Sequence, residues 1–392
     1  MKRVVVVGGS IAGLTAAEAL RAGGFDGRLT MLSEELHLPY SRVPLSKGVL
    51  AGREPLESAS LPAPSEGIEF RAGVRATGLD IERRTVTFGD GETEPYDGLV
   101  IATGARARRL PDTEAGAAFA VRTLDDAAML RARLPGANSV IVLGGGFLGM
   151  EVASTCRALG LDVTVVDRVP PLRRLVGPWL ARLVMDAARD HGVKFRLAGD
   201  GVAVIDQQTV RLGSTVLTAD VIVSAVGDEP NVSWLHDSGL PLGAGVVADD
   251  CCRVVPGVAA AGDVVARDGV RNPHWTNAIE QGRAAATALL HGDAAEPYRP
   301  NPYFWTEQFG LNIKISGQLP TVGDPTILAG SVEDRSLLLR WNHGGPPTAV
   351  AINHRIAVDR LKLHGAGAPH KSSSSASRHR ETHVERCPDA GG

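Results

Sequence analysis

An α/β fold with two copies of one βαβ unit, followed by a small C-terminal α+β domain, is predicted from three observations. A β-branched run, Val4 to Val7, leads into Gly8-x-Ser10-x-x-Gly13 and then into an Ala/Leu-rich stretch. The pattern returns at Val140 to Leu143, with Gly144-x-Gly146-x-x-Gly149 and a second helical stretch behind it. From Asn301 onward, short strand signals dominate.

Each element has its own warrant. Val4 to Val7 is continuously apolar, which suits a strand buried on both faces. The helix after it carries Ala16, Ala17, Ala19 and Leu20 and stops at Gly23-Gly24, a C-cap signal. Arg28 to Ser33 is the next strand. Thr85 to Phe88 and Gly98 to Ala102 read as strands, with a turn at Gly89-Asp90-Gly91. In the second unit, Phe147 to Leu159 is helical, Gly160 ends it, and Val163 to Val166 closes on Asp167. Asp220 to Val226 and Val258 to Ala261 are further strands, and Asn277 to Leu290 is a helix. Strands are expected at Leu311 to Ile315, Ile327 to Leu328, Leu337 to Trp341 and Ala349 to Ile352. The Ser-rich end, 369–392, has no periodicity and reads as a disordered tail.

Composition narrows the function classes. A chain of 392 residues has room for two to three domains at roughly 150 residues each. The formal charge of −3 gives no global nucleic-acid footprint. Four cysteines cannot make a disulfide framework, so a reducing compartment, the cytoplasm, is expected. The apolar run after Met1-Lys2-Arg3 is too short for a secretory h-region, and no stretch reaches the ~18 apolar residues of a membrane span. The eleven histidines show no metal spacing, and no metal is assigned.

The two glycine motifs carry the chemistry. A tight turn between a buried strand and a helix lets backbone N–H groups approach a pyrophosphate at the helix N-terminus. Around Gly8, Ser10 and Gly13, with Glu34 placed to meet ribose hydroxyls, the reading is a dinucleotide site; the plain alternative is a ligand-free βα turn. Gly144, Gly146 and Gly149 with Asp167 form the fuller motif. The acid favours NAD over NADP, although Arg168, Arg173 and Arg174 nearby could meet a 2′-phosphate. Glu151, read as lying in the first helical turn, either complements the helix dipole or points between two nucleotides. Lys47 is either a solvated charge or a Lys held by a loop stiffened at Pro39 and Pro44. Asp263 is either a helix N-cap or a partner for a ribityl or pyrophosphate group. Trp275 and Trp305, taken alone, read as core or interface fillers. Residues 34–50 contain no cysteine and Cys251-Cys252 are adjacent, so a dithiol relay is not expected.

Taken together, several segments resemble the two-dinucleotide-binding flavoprotein superfamily, and within it the ferredoxin reductases that serve Rieske oxygenases and haem-thiolate monooxygenases. They are Leu38-Pro-Tyr-Ser-Arg42-Val-Pro44-Leu-Ser-Lys47, Ala102-Thr103-Gly104, Gly144-Gly-Gly-Phe-Leu-Gly149-Met-Glu151, Gly227-x-x-Pro230-Asn231, Ala260-Ala261-Gly262-Asp263, His274-Trp275-Thr-Asn277 and Tyr303-Phe-Trp305-Thr-Glu-Gln-Phe. Val43 stands where that family usually has a second proline.

The resemblance implies two Rossmann-like domains, FAD then NAD, plus a ferredoxin-interface domain. The implied boundaries are 1–111 and 230–300 for a split FAD domain, 112–229 for the NAD domain and 301–368 for the interface domain. It places FAD against Gly8, Ser10, Ala12, Gly13, Glu34, Arg42, Lys47, Ala76, Thr103, Gly104, Arg122, Gly262, Asp263 and Trp275. It places NADH on Gly144, Gly146, Gly149, Glu151, Asp167 and Gly227. Lys47 and Glu151 are implied to lie together beside the flavin, with Trp305 approaching its ring as a third catalytic residue. The implied activity passes electrons from NADH through FAD to an iron–sulfur ferredoxin that supplies an oxygenase, in a monomer or weak homodimer. The rivals are an apoptosis-inducing-factor-like NADH sensor, an NADH oxidase and a non-catalytic FAD-binding module.

Overall fold

The computed structural model describes residues 1–89, 91–110, 117–199, 201–342 and 345–365. The expected tail, 369–392, and Asp90 of the expected turn lie outside the described residues.

The first βαβ unit is the centre of a six-stranded sheet. Arg3–Val7 pairs in parallel with Arg28–Leu32 on one side and with Gly98–Ile101 on the other. The full order is Arg253–Val255, Val258–Ala260, Gly98–Ile101, Arg3–Val7, Arg28–Leu32, Ile68–Arg71. Val258–Ala260 therefore joins this sheet after a long excursion of the chain. Helix α1 (Ile11–Ala22) covers one face through Ala12, Leu14, Ala16, Ala17 and Leu20. A three-stranded meander, Ala76–Asp80, Thr85–Phe88 and Glu92–Pro95, covers the other through Leu79, Val86 and Phe88.

The capping box at Thr123, with Asp126 answering three residues on, starts helix α2 (Leu124–Arg133). The second βαβ unit then builds a four-stranded parallel sheet, Lys194–Leu197, Asp162–Asp167, Ser139–Leu143, Val221–Ser224. Helix α3 (Phe147–Ala158) springs from its glycine turn. The short α4 (Arg173–Val176) and the strongly amphipathic α5 (Pro178–Asp190) follow. Leu180, Leu183, Val184 and Ala187 turn inward on α5, the i, i+3, i+4, i+7 stripe of a core-facing helix. Helix α6 (Trp275–His291) returns to the first sheet and packs on α1. Gly282 makes that approach possible, because a Cβ there would lie 2.7 Å from the Ala12 carbonyl oxygen.

The C-terminal part is a five-stranded antiparallel sheet ordered Tyr303–Gln308, Leu311–Ser316, Thr348–Ile352, Ser336–Trp341, Thr326–Ser331. Ile313, Ile315, Leu337, Leu339, Val350 and Ile352 on its inner face share one core with α3, α5 and the second sheet. Helix α7 (Val358–Gly365) lies on the outer face, with Leu361 against Leu338, Ala349 and Ala351. Tyr303–Gln308 is a strand the sequence reading did not anticipate. Its Tyr-Phe-Trp-Thr-Glu-Gln lacks apolar/polar alternation because its inward positions include the polar Thr306 and Gln308, both buried.

Candidate functional site

A cavity of about 1030 Å³ opens at the carboxyl ends of the first sheet's strands, where ligands bind in open α/β sheets. Its wall includes Gly8, Ser10, Ala12, Glu34, Arg42, Ala76, Thr103, Gly104, Arg122, Gly262, Asp263 and Trp275.

Sterics explain the glycines. Gly8 has φ +131°, and a Cβ there would sit 2.0 Å from the Ala102 carbonyl oxygen. A Cβ on Gly13 would sit 2.0 Å from the Gly8 carbonyl oxygen. Ser10 is the N-cap of α1, yet its hydroxyl makes no capping bond. The N–H groups of the first turn of α1 are likewise left without intrahelical acceptors beside the cavity. This is a cradle a phosphate would complete. Thr103 and Asn231 exchange two bonds of 2.9 Å, stitching the end of Gly98–Ile101 to the segment after Gly227.

One wall is a continuous polar chain. Tyr40 donates to Glu35, Arg42 Nη2 donates to Glu35 at 2.6 Å, and Arg42 also donates to the Arg122 carbonyl. Arg122 Nη2 in turn donates to Asp263 at 2.8 Å. Burial pushes the Tyr40 hydroxyl far above its ordinary range, and its bond to Glu35 adds to the rise. Asp263 is not a helix N-cap: the strand Val265–Arg267 follows it, and α6 starts only at Trp275 behind His274. Burial holds His274 below the usual histidine range, against the opposing pull of Asp263. Glu34 lies on the cavity rim, largely exposed, 3.5 Å from Arg75. Also lining the cavity, Arg106 and Arg108 turn toward Glu229, at 3.0 and 3.7 Å.

The second glycine turn repeats the first. Gly144 has φ +99°, with its Cβ position 2.2 Å from the Ala225 carbonyl oxygen; that of Gly149 is 1.9 Å from the Gly144 carbonyl oxygen. At Gly146, by contrast, the nearest atom is Leu175 Cδ1 at 3.6 Å, so the protein itself leaves this position open. Asp167 accepts from the Gly145 N–H at 2.7 Å and from the Arg168 N–H at 2.6 Å, at the end of its strand. Gly227 has φ +104° with open space about it.

A charged node forms where helix α3 meets the 43–47 segment and the strand Tyr303–Gln308. Glu151 is the fifth residue of α3, beyond its first turn, and only 7% exposed. The dipole-complementing reading therefore does not describe it. Its Oε2 accepts from Lys47 Nζ at 2.7 Å and from Ser46 Oγ at 2.6 Å; its Oε1 accepts from Thr306 Oγ1 at 2.6 Å. One helical face extends the clamp. Thr155 donates to the Ser46 carbonyl at 2.7 Å, and Ser154 accepts from the Phe309 N–H at 2.7 Å. Lys47 and Glu151 are thus brought together across 104 positions of sequence.

Trp305 is not brought to this node. Strand alternation puts Phe304 and Thr306 inward, with Phe304 against Phe147 and His274, while Trp305 lies over Tyr303 and opposite Lys314. Sequence reasoning missed Glu35, Tyr40, Ser46 and Thr306. Ser46 stood inside a quoted motif, but nothing in the spacing marked its partner. Cys156, Cys251 and Cys252 are buried and unpaired, and burial pushes the Cys156 and Cys252 thiols up to about 12. Among the described residues no helix is long and apolar enough to cross a membrane, and no His/Cys/Asp/Glu group has metal-holding geometry.

Comparison with known proteins places this architecture. The model of the pyridine nucleotide-disulphide oxidoreductase family matches residues 2–282. The chain is 35% identical over 376 residues to the ferredoxin reductase component of chlorobenzene dioxygenase from Cupriavidus sp. (strain PS12), covering 89% of each chain. It is 34% identical over 350 residues to rhodocoxin reductase from Rhodococcus erythropolis, covering 84% of this chain and 81% of the relative. The ferredoxin reductase for the CYP199A2 system from Rhodopseudomonas palustris superposes with a TM-score of 0.84 at 31% identity, covering 94% of this chain and 96% of that one. Putidaredoxin reductase, in its covalent complex with putidaredoxin, also gives 0.84, at 29% identity and 93% of each chain. With the two glycine turns, the cavity at the strand ends and these matches, the chain belongs to the pyridine nucleotide-disulphide oxidoreductase family.

Proposed function

We propose that this protein is an FAD-dependent NADH:ferredoxin oxidoreductase that feeds an oxygenase. The observation that carries the reading is the largely buried Lys47–Glu151 pair, which joins the segment that follows Arg42 and Val43 of the cavity wall to the helix of the second glycine turn and is held by Thr306 of the five-stranded C-terminal sheet. FAD, when bound, supplies the conversion between the two electrons of NADH and a one-electron iron–sulfur acceptor.

The residues divide the work. Gly8, Ser10, Ala12 and Gly13 would seat the FAD pyrophosphate, Glu34 the ribose, and Arg42 and Arg122 would supply positive charge along the same wall. Asp263, Trp275 and the N-terminus of α6 would border the flavin end. Gly144, Gly146, Gly149 and Asp167 would seat NADH, with Asp167 opposing a 2′-phosphate. Lys47 would hold its ammonium beside the flavin ring edge, where positive charge favours the reduced form. Glu151 orients that ammonium.

Family membership does not by itself supply a redox dithiol. Residues 34–50 carry no cysteine, and the three described cysteines are buried. Their unpaired state supports a reducing, cytoplasmic setting. The face that carries Trp305 also carries Lys314, with Lys362 Nζ 6.0 Å from the Tyr303 ring; this supports docking of an acidic ferredoxin there. A monomer or weak homodimer suffices, since every node residue comes from one chain.

The test is a comparison of NADH with NADPH as reductant in stopped flow, followed by ferredoxin-linked reduction of cytochrome c across a salt series. The reading requires flavin bleaching by NADH and a ferredoxin-coupled rate that falls with salt. A protein that carries flavin but reduces no ferredoxin would overturn it.

A further inference from the structure

We propose that Thr306 is a positioning residue for electron transfer from NADH: its hydroxyl fixes the plane of the Glu151 carboxylate and, through it, the Lys47 ammonium. This rests on the function proposed above.

Covalent stiffness does not fix that carboxylate. The last torsion of a glutamate is broad and roughly two-fold, so its plane is set by what its oxygens bind. Ser46 and Lys47 are neighbours in one turn and both bind Oε2. Alone they would leave Oε1 free to swing about them. Thr306 supplies the bond to Oε1 among the described residues.

The direction of that bond follows from the surrounding donors. Thr306 Oγ1 accepts from Gln308 Nε2 at 3.0 Å, so the single hydroxyl proton is left for Glu151, whose ionised form only accepts. Thr306 is 1% exposed, and its β-branched side chain is stiff about χ1. Its strand is pinned on both sides. Phe304 lies 4.3 Å from the Phe147 ring at the start of α3, and the Phe309 N–H is held by Ser154 of the same helix. Thr306 therefore reaches Glu151 from a backbone registered against the helix that carries it. The same pleat puts Trp305 on the outer face, so one strand serves both sides.

The test uses the flavin-loaded protein and Thr306→Val, which keeps the shape and removes the hydroxyl. Losing a bond to a charged group predicts a limiting rate of flavin reduction by NADH about tenfold lower, at unchanged NADH affinity. Thr306→Ser should restore the rate. In a Glu151→Leu background the same Thr306→Val change should alter the rate less than about twofold. A thermal-unfolding cycle of the proteins as purified, Thr306→Val against Glu151→Leu, should show a coupling between the two residues. A rate within twofold of the parent, an equal loss in the Glu151→Leu background, or a Thr306→Ser variant as slow as Thr306→Val would each overturn the proposal. If the parent protein is not reduced by NADH, the functional reading fails, and absence of coupling in the unfolding cycle would overturn the bond's role separately.

Discussion

Lys47→Met removes one charge from the buried node and leaves the other. The side chains of Lys47 and Glu151 are 17% and 9% exposed, so the pair is largely out of water. Breaking a buried ion pair by deleting one partner costs about 3–5 kcal/mol, because an unpaired charge stays behind. Glu151 keeps two hydroxyl donors, Ser46 and Thr306, at 2.6 Å. The charge left behind is therefore still hydrogen-bonded rather than bare, which puts the expected cost at or just below the low end of that range, about 2–3 kcal/mol. Unfolding entropy runs at about 2.1 cal/mol/K per residue, so in a chain this long the drop in melting temperature is about 3 °C. The assay is differential scanning fluorimetry of the FAD-free protein, so that flavin loss does not contribute. Lys47→Met/Glu151→Leu should recover most of the drop, since both charges leave together. A melting temperature for Lys47→Met within half a degree of the parent, or a double variant less stable than the single, would refute the node as a paired buried charge. In flavin-loaded protein, Lys47→Met should also slow reduction by NADH.

Other perturbations separate the two nucleotide sites. Gly13→Ala should abolish FAD retention, because its Cβ would meet the Gly8 carbonyl oxygen at 2.0 Å; flavin absorbance of the purified protein reads this out. Gly149→Ala, with its Cβ 1.9 Å from the Gly144 carbonyl oxygen, should leave the flavin in place and weaken NADH binding at least tenfold. Iodoacetamide at pH 8 should leave Cys156 and Cys252 unmodified in the folded protein, because thiols pushed up to about 12 are not thiolates there; peptide mass mapping checks it. Burial holds His274 below the ordinary histidine range in the folded state, so on acidification the unfolded chain binds the extra proton first. Stability should therefore fall as pH drops below about 6.5 and level off below the folded value, and His274→Asn should flatten that part of the profile measured by thermal unfolding.

What could be read from the sequence was what local sterics write into it. A strand, a turn that admits no Cβ and a helix must be contiguous, so both glycine units were visible from residues 4–20 and 140–159. The partners of Glu151 were not visible, because Ser46 lies 105 positions and Thr306 155 positions away. The chain from Glu35 through Arg42 and Arg122 to Asp263 is equally non-local, with its longest bond spanning 141 positions. Hydroxyls and guanidinium groups are common on surfaces, and only the fold turns these particular ones inward. The strand Tyr303–Gln308 escaped for a related reason: its buried polar residues serve the node and erase the periodicity that marks a strand.

The strand order of the first sheet sets a timetable for synthesis. Gly98–Ile101 is flanked by Arg3–Val7 early, but its other neighbour, Val258–Ala260, does not exist until more than a hundred further residues have been added. At about 5–20 residues per second, the Gly-Leu-Val-Ile edge waits roughly 10–30 s with unpaired backbone donors and acceptors. The second sheet, whose strands all lie between Ser139 and Ser224, can close within that interval. Nascent chains stalled between these points would expose a sticky edge beside an already folded neighbour, and are the forms a ribosome-associated chaperone would meet.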